Sequence, residues 1–130
     1  MEAKLLVDSK KTRKTIIDLI GRCRRMSWAV AWATDNAILD AAHRHRTKFQ
    51  HLVIGTHGYV TDPKALRRFL GEPFLRVGDP TGPLFHPKIY LFDLGGRFAA
   101  IVGSHNLTAS AFDANTEASI LLESSVDEPV

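Results

Sequence analysis

Two short apolar runs, Pro87 to Asp93 and Arg97 to Val102, flank the pair Gly95-Gly96. Their mixture of small and large apolar residues fits buried strands, and the diglycine is a turn signal, so the stretch reads as a β-hairpin. A hairpin constrains the chain tightly, because it sets the residues entering one strand beside those leaving the other. His86 and Lys88 enter; Ser104 and Asn106 leave. An imidazole, an ammonium, a hydroxyl and an amide brought together in this way suit a phosphate group.

The chain before the hairpin alternates strand and helix signals. Lys4 to Val7 is a short strand, and Asp8 or Ser9 caps a helix over roughly Lys10 to Arg25. Ile16, Ile17, Ile20 and Cys23 recur at helical spacing, which makes Cys23 a core residue rather than a nucleophile. Trp28 to Ala33 suits a strand buried on both faces, with both tryptophans on one face and packed in the core. Thr34 or Asp35 caps a second helix to about His45, with Ile38, Ala41 and Ala42 facing inward. Phe49 to Ile54 is the next strand. Thr61-Asp62-Pro63 starts a helix to about Leu70, and Phe74 to Val77 is a short strand. A helical turn over Thr108 to Phe112 and a last strand over Ala118 to Leu122 follow the hairpin. This order predicts an α/β fold: a mixed, largely parallel sheet flanked by helices. One domain over residues 1–124 is expected, with 125–130 as a flexible tail; the abrupt end near Val130 suits a domain excised from a longer protein.

Of 130 residues 45% are apolar, enough for a core, and no run of eighteen apolar residues is present. The N-terminus is charged and has no signal-peptide core, so a cytoplasmic protein without stable membrane association is expected. A single cysteine excludes an intrachain disulfide. No histidine pair has the spacing of metal ligands with a third partner, so no metal and no cofactor are expected. Charge is uneven. Residues 1–50 hold 11 Lys and Arg against 5 Asp and Glu, whereas residues 51–130 hold 6 against 9. The basic half is a candidate footprint for a polyanion, and equally a solvated helix face.

His86-x-Lys88-x4-Asp93, followed by Gly103-Ser104-x-Asn106 and then by Glu117, resembles the HKD motif of the phospholipase D superfamily. The α/β order ahead of the motif suits that fold as well, so the resemblance covers nearly the whole chain as one half-unit. The gap between Asp93 and Gly103 is longer than the commonest family spacing. Asp93 is therefore read as structural, orienting the hairpin through hydrogen bonds.

The resemblance implies a metal-independent phosphodiesterase. His86 would be the nucleophile, with Lys88, Ser104 and Asn106 as catalytic and substrate-binding donors that neutralise the phosphate oxygens. Glu117, bonded to the other ring nitrogen of His86, would fix its tautomer. His57, at a strand end on the ligand side of an open α/β sheet, is a substrate-contact candidate. His105 is left out of the site, since it would point away from it. With a single motif, the family pattern implies a homodimer with one composite active site, in which one His86 attacks and its mate protonates the leaving oxygen. A nuclease acting on DNA is the first reading. The alternatives are a catalytically quiet DNA-binding module of a helicase or restriction-type protein, and a phospholipid hydrolase. The latter is disfavoured because no amphipathic or exposed apolar stretch is visible.

Overall fold

The computed structural model describes residues 1–127, and single side chains set its helix starts. Strand β1 (Glu2–Leu6) leads into helix α1 (Ser9–Arg22), where Asp8 accepts from Lys10 and Lys11 N–H. Such a cap satisfies amides that have no partner within the helix. Helix α2 (Ala37–Arg44) is capped by Asn36, not by Thr34 or Asp35. Asn36 Oδ1 reaches both Ile38 and Leu39 N–H, while Thr34 Oγ1 accepts from Ala109 and Asp35 pairs with Arg68. Helix α3 (Pro63–Arg67) begins at the expected Asp62-Pro63 and is shorter than expected.

The remaining strands are β2 (Arg25–Val30), β3 (Phe49–Ile54), β4 (Leu75–Val77), β5 (Lys88–Asp93), β6 (Arg97–Gly103) and β7 (Ser119–Ser125). All seven strands form one sheet in the order β1-β7-β6-β5-β2-β3-β4. The mixed α/β architecture is as expected, but the balance of directions is not. Only β2–β3 and β3–β4 are parallel, and the other four pairings are antiparallel. The reason is topological. β1 runs to the far edge and pairs with β7, and the β5–β6 hairpin fills the gap between that edge and β2.

The core lies on one face of the sheet. Ile16, Leu19 and Ile20 of α1 and Ile38 and Leu39 of α2 are buried with Trp28, Leu52, Tyr90, Phe92 and Ile101. Trp28 meets Phe49, Tyr90 and Phe92 edge to face, with ring centroids 5.0, 5.2 and 5.9 Å away. Burial of each such side chain contributes about 2 to 3 kcal/mol. Cys23 belongs to this layer as expected, and burial pushes its thiol pKa up.

Side chains alternate across a strand, so their neighbours reach the other face. There one register row joins Leu5, Ile120, Val102 and Ile89 across β1, β7, β6 and β5. Leu5 is 63% exposed, Ile120 45% and Val102 42%. This apolar row corrects the expectation that no exposed apolar surface exists. Each strand supplies one member, so nothing in the linear sequence is contiguous. No helix among the described residues is long and apolar enough to cross a membrane. Ser124 and Ser125 belong to β7, and Val126 N–H donates to Gly96 O at 3.2 Å. Part of the expected tail is therefore ordered sheet; residues 128–130 of it lie outside the described residues.

Candidate active site

Register brings the motif together at one edge of the sheet. Val30 pairs with Lys88, Ile89 with Val102, and Gly103 with Ser119, so the end of β2, the start of β5, the end of β6 and the start of β7 adjoin. Gly103 sits where β6 and β7 approach too closely for any side chain: a Cβ there would fall on Ser119 Cα and Oγ. The hairpin turns through Gly95 at φ +83, whose N–H donates to Asp93 Oδ1 at 2.9 Å. Asp93 is thus at the turn, five residues along β5 from Lys88 and roughly 17 Å away by strand rise. It orients the hairpin and does not join the site.

Lys88 is almost fully buried, 8% exposed, while His86 just before it is exposed. Lys88 Nζ donates to the His86 carbonyl at 3.0 Å and lies 2.9 Å from both Nδ1 and Nε2 of its ring. A position equidistant from both nitrogens is off both lone-pair axes, so the contact is electrostatic rather than two full hydrogen bonds. An ammonium has donors only, so a hydrogen bond from it can go only to a ring nitrogen that carries no proton. Burial lowers the Lys88 pKa below the ordinary lysine value, and the Glu117 carboxylate opposes that shift.

Asn106 is held from across the sheet. Its Oδ1 accepts from Trp32 N–H at 3.2 Å. A backbone N–H only donates, so the oxygen faces Trp32 and the amide nitrogen is left as a donor for a ligand. Trp32 itself departs from expectation. β2 ends at Val30, and Trp32 lies beyond it, half-buried, with its ring edge-on to His86 at 5.5 Å and 6.0 Å from Lys88 Nζ. Trp28 alone is core. Where β2 stops pairing with β5, the Trp32 N–H goes to Asn106 and its indole N–H to the His57 carbonyl at 2.8 Å. The ring becomes a wall of the site. Its place at the C-terminal end of a parallel strand was the available signal.

Ser104 Oγ accepts from Ala118 N–H at 2.9 Å, leaving its own proton free to donate. Ser104 therefore closes the β6–β7 connection and faces solvent at once. Glu117 is not where the tautomer role requires it. Its hydrogen bond is to Asn115 Nδ2 at 3.3 Å, none to His86 is present among the described residues, and its charge acts on Lys88, Tyr90 and His105. His105 points inward as expected, with Nδ1 2.7 Å from Ser119 Oγ and the ring stacked on Phe112. Tyr90 O–H donates to the His105 carbonyl at 2.9 Å, which pins the turn between Ser104 and Asn106 from below.

His57 reaches the expected edge, but its ring is already engaged. Nε2 lies 2.9 Å from the Gly82 carbonyl, which only accepts, so Nε2 carries the proton; Nδ1 is buried. It ties the turn over residues 57–59 to the loop before His86 and does not offer a free nitrogen to a substrate. Among the described residues no group of three or more His, Cys, Asp or Glu converges as metal ligands.

An exposed imidazole thus lies against a buried ammonium, with an amide and a hydroxyl alongside at the end of a mixed sheet. Residues 2–128 match the family described as the cardiolipin synthase, PLD-like domain, and the chain belongs to that phospholipase D-like family. Membership places it among phosphodiesterase-type enzymes. The fold is similar to that of Nuc, a phospholipase D family member from Salmonella typhimurium, at 16% identity and a TM-score of 0.65, covering 92% of this chain and 82% of that one. NucT from Helicobacter pylori is similar at 17% identity and 0.69, covering 92% and 84%. A mutant of yeast tyrosyl-DNA phosphodiesterase is similar at 12% identity and 0.63, covering 99% of this chain and 34% of the other. No curated protein is similar enough in sequence to match the chain.

Proposed function

We propose that this chain is a metal-independent phosphodiesterase, a nuclease, working through a phosphohistidine intermediate at a site shared by two subunits. The observation that carries the reading is the exposed ring of His86 lying within 2.9 Å of the Lys88 ammonium. A phosphodiester resists attack because its anionic oxygens repel nucleophiles. Lys88, the Asn106 amide nitrogen and the Ser104 hydroxyl neutralise and orient those oxygens as charge grows in the transition state. A ring nitrogen of His86 then forms a bond to phosphorus as the bond to the leaving oxygen breaks. Water cleaves the phosphohistidine in a second step and restores the ring.

The leaving oxygen needs a proton, and this subunit's own site has no histidine to spare. His57 is bonded to Gly82, and His105 is buried against Ser119. The partner subunit's His86 is the acid, and it takes a proton from water in the second step. Glu117 supports the site through Lys88.

A polyanionic substrate, DNA first, is supported by helix α1. Leu6 pairs with Ser119, so α1 starts at the site edge of the sheet. Its first two turns carry Lys10, Lys11, Arg13 and Lys14, none of them in an ion pair among the described residues. Positive charge near a helix N-terminus opposes the helix dipole, so these residues do not serve helix stability. A phosphate backbone would use them.

The test is cleavage of DNA and of bis(p-nitrophenyl) phosphate in EDTA by wild type and His86→Ala. Loss of turnover in the variant is expected; retained EDTA-resistant turnover overturns the reading. DNA binding with no turnover in either protein, falling steeply with salt, would instead mark a catalytically quiet binding module. A phospholipid-directed hydrolase is the second reading, favoured by the exposed row Leu5, Ile120 and Val102 beside the site. Turnover of liposomes without DNA cleavage would select it.

A further inference from the structure

We propose that Tyr59 is a stacking platform for a nucleobase of single-stranded nucleic acid, one that flanks the phosphate held at His86. Tyr59 has φ +56, the one non-glycine residue with positive φ among the described residues, and it follows Gly58 at φ +67. The left-handed region is easy for glycine and costly for a residue with a Cβ. Its side chain is 88% exposed, so burial returns nothing for placing an aromatic ring there. Neither the local backbone nor packing accounts for a tyrosine at this position. An observed backbone outlier of this kind points to function.

The backbone turn that carries Tyr59 is tied to residues of the site. Tyr59 N–H donates to Thr56 O at 3.2 Å. The carbonyl of His57, two residues before Tyr59, accepts from Trp32 Nε1 at 2.8 Å, and the Trp32 ring packs against His86. The His57 ring fastens the same turn to Gly82 at 2.9 Å. Leu84 in the loop that follows Gly82 is 64% exposed, and Val60 is 47% exposed. Tyr59, Val60 and Leu84 are thus exposed apolar side chains on two segments that His57 joins to each other and to Trp32.

A nucleotide pairs a phosphate with a flat aromatic group. Every base has a π-face, so such a platform holds any sequence. Bases in a duplex are already stacked on one another, which leaves the single strand as the form able to reach Tyr59. The proposal rests on the phosphodiesterase reading for the place of the phosphate, but its test reads binding alone.

The experiment measures fluorescence anisotropy of the full chain with a labelled single-stranded oligonucleotide and with an abasic strand of equal length. Tyr59→Ala should weaken binding of the first by about tenfold and leave the abasic strand unchanged, whereas Tyr59→Phe should bind both as wild type does. Tyr59→Gly, which fits the backbone, should keep the melting temperature while losing the same affinity. Equal loss on both strands, no loss, no binding of either strand by wild type, or dissociation of a dimer in sedimentation caused by Tyr59→Ala would each overturn the proposal. If base-dependent binding is found but no substrate is turned over, the nuclease reading fails and this one stands. If DNA is cleaved and Tyr59→Ala binds both strands normally, this one fails alone.

Discussion

The Lys88 ammonium lies 2.9 Å from each ring nitrogen of His86, close enough that the two side chains act as one unit. In the proposed mechanism the buried partner supplies fixed charge and the exposed one supplies the lone pair. Burial lowers the Lys88 pKa and Glu117 raises it, so the protonated amine depends on a carboxylate that does not touch the imidazole.

A pH profile reads that dependence. An amine with a lowered pKa loses its proton at lower pH, so kcat/KM should decline on the alkaline side below the ordinary lysine range. Glu117→Gln removes the charge that favours the ammonium, and the alkaline limb should move to lower pH still. The measurement is the pH–rate profile on bis(p-nitrophenyl) phosphate. An alkaline limb that stays where it was would show that Glu117 acts elsewhere.

Asp93 belongs to the motif by spacing and to the turn by position. Asp93→Ala removes the acceptor for Gly95 N–H and a 3.8 Å contact with Arg24 that is largely exposed to solvent. Stability should fall by about 1 kcal/mol, almost all of it from the hydrogen bond. Activity should stay within about twofold, since the site is roughly 17 Å away. Denaturant unfolding and steady-state kinetics test the two halves separately, and a tenfold loss of kcat/KM would return Asp93 to the site.

Tyr90 acts on the site through the backbone. Tyr90→Phe leaves the buried His105 carbonyl unpaired and should cost about 1 to 3 kcal/mol of stability. Because that carbonyl lies between Ser104 and Asn106, kcat should fall more than KM rises. A variant that is destabilised but fully active would show that the turn keeps its shape without this bond.

The hairpin was legible because its evidence is local: two apolar runs, a diglycine, and polar residues at their outer ends. The gathering of His86, Lys88, Ser104 and Asn106 at one edge then follows from antiparallel pairing alone. Helix starts at Asp8 and Asp62 were legible for the same reason, whereas Asn36 competes with two other good caps and only the Ala109 and Arg68 partners decide among them. Trp32 and Glu117 were misplaced for a different reason. Their roles depend on where β2 stops and on which side of Lys88 the chain returns, and neither is encoded within a few residues.

The sequence by itself determined which side chains meet at the candidate site and the hairpin pairing that brings them together, since both rest on side-chain type and on strand geometry of period two. Tertiary structure alone decided the direction of most pairings, because β1 travels to an edge shared with β7 rather than to its neighbour in sequence. It also decided that one sheet face is an exposed apolar row, built from residues that no window of sequence contains. It placed Tyr59 in a left-handed, solvent-facing turn beside Trp32. Long-range pairing sets these features, and a chain of local preferences does not contain it.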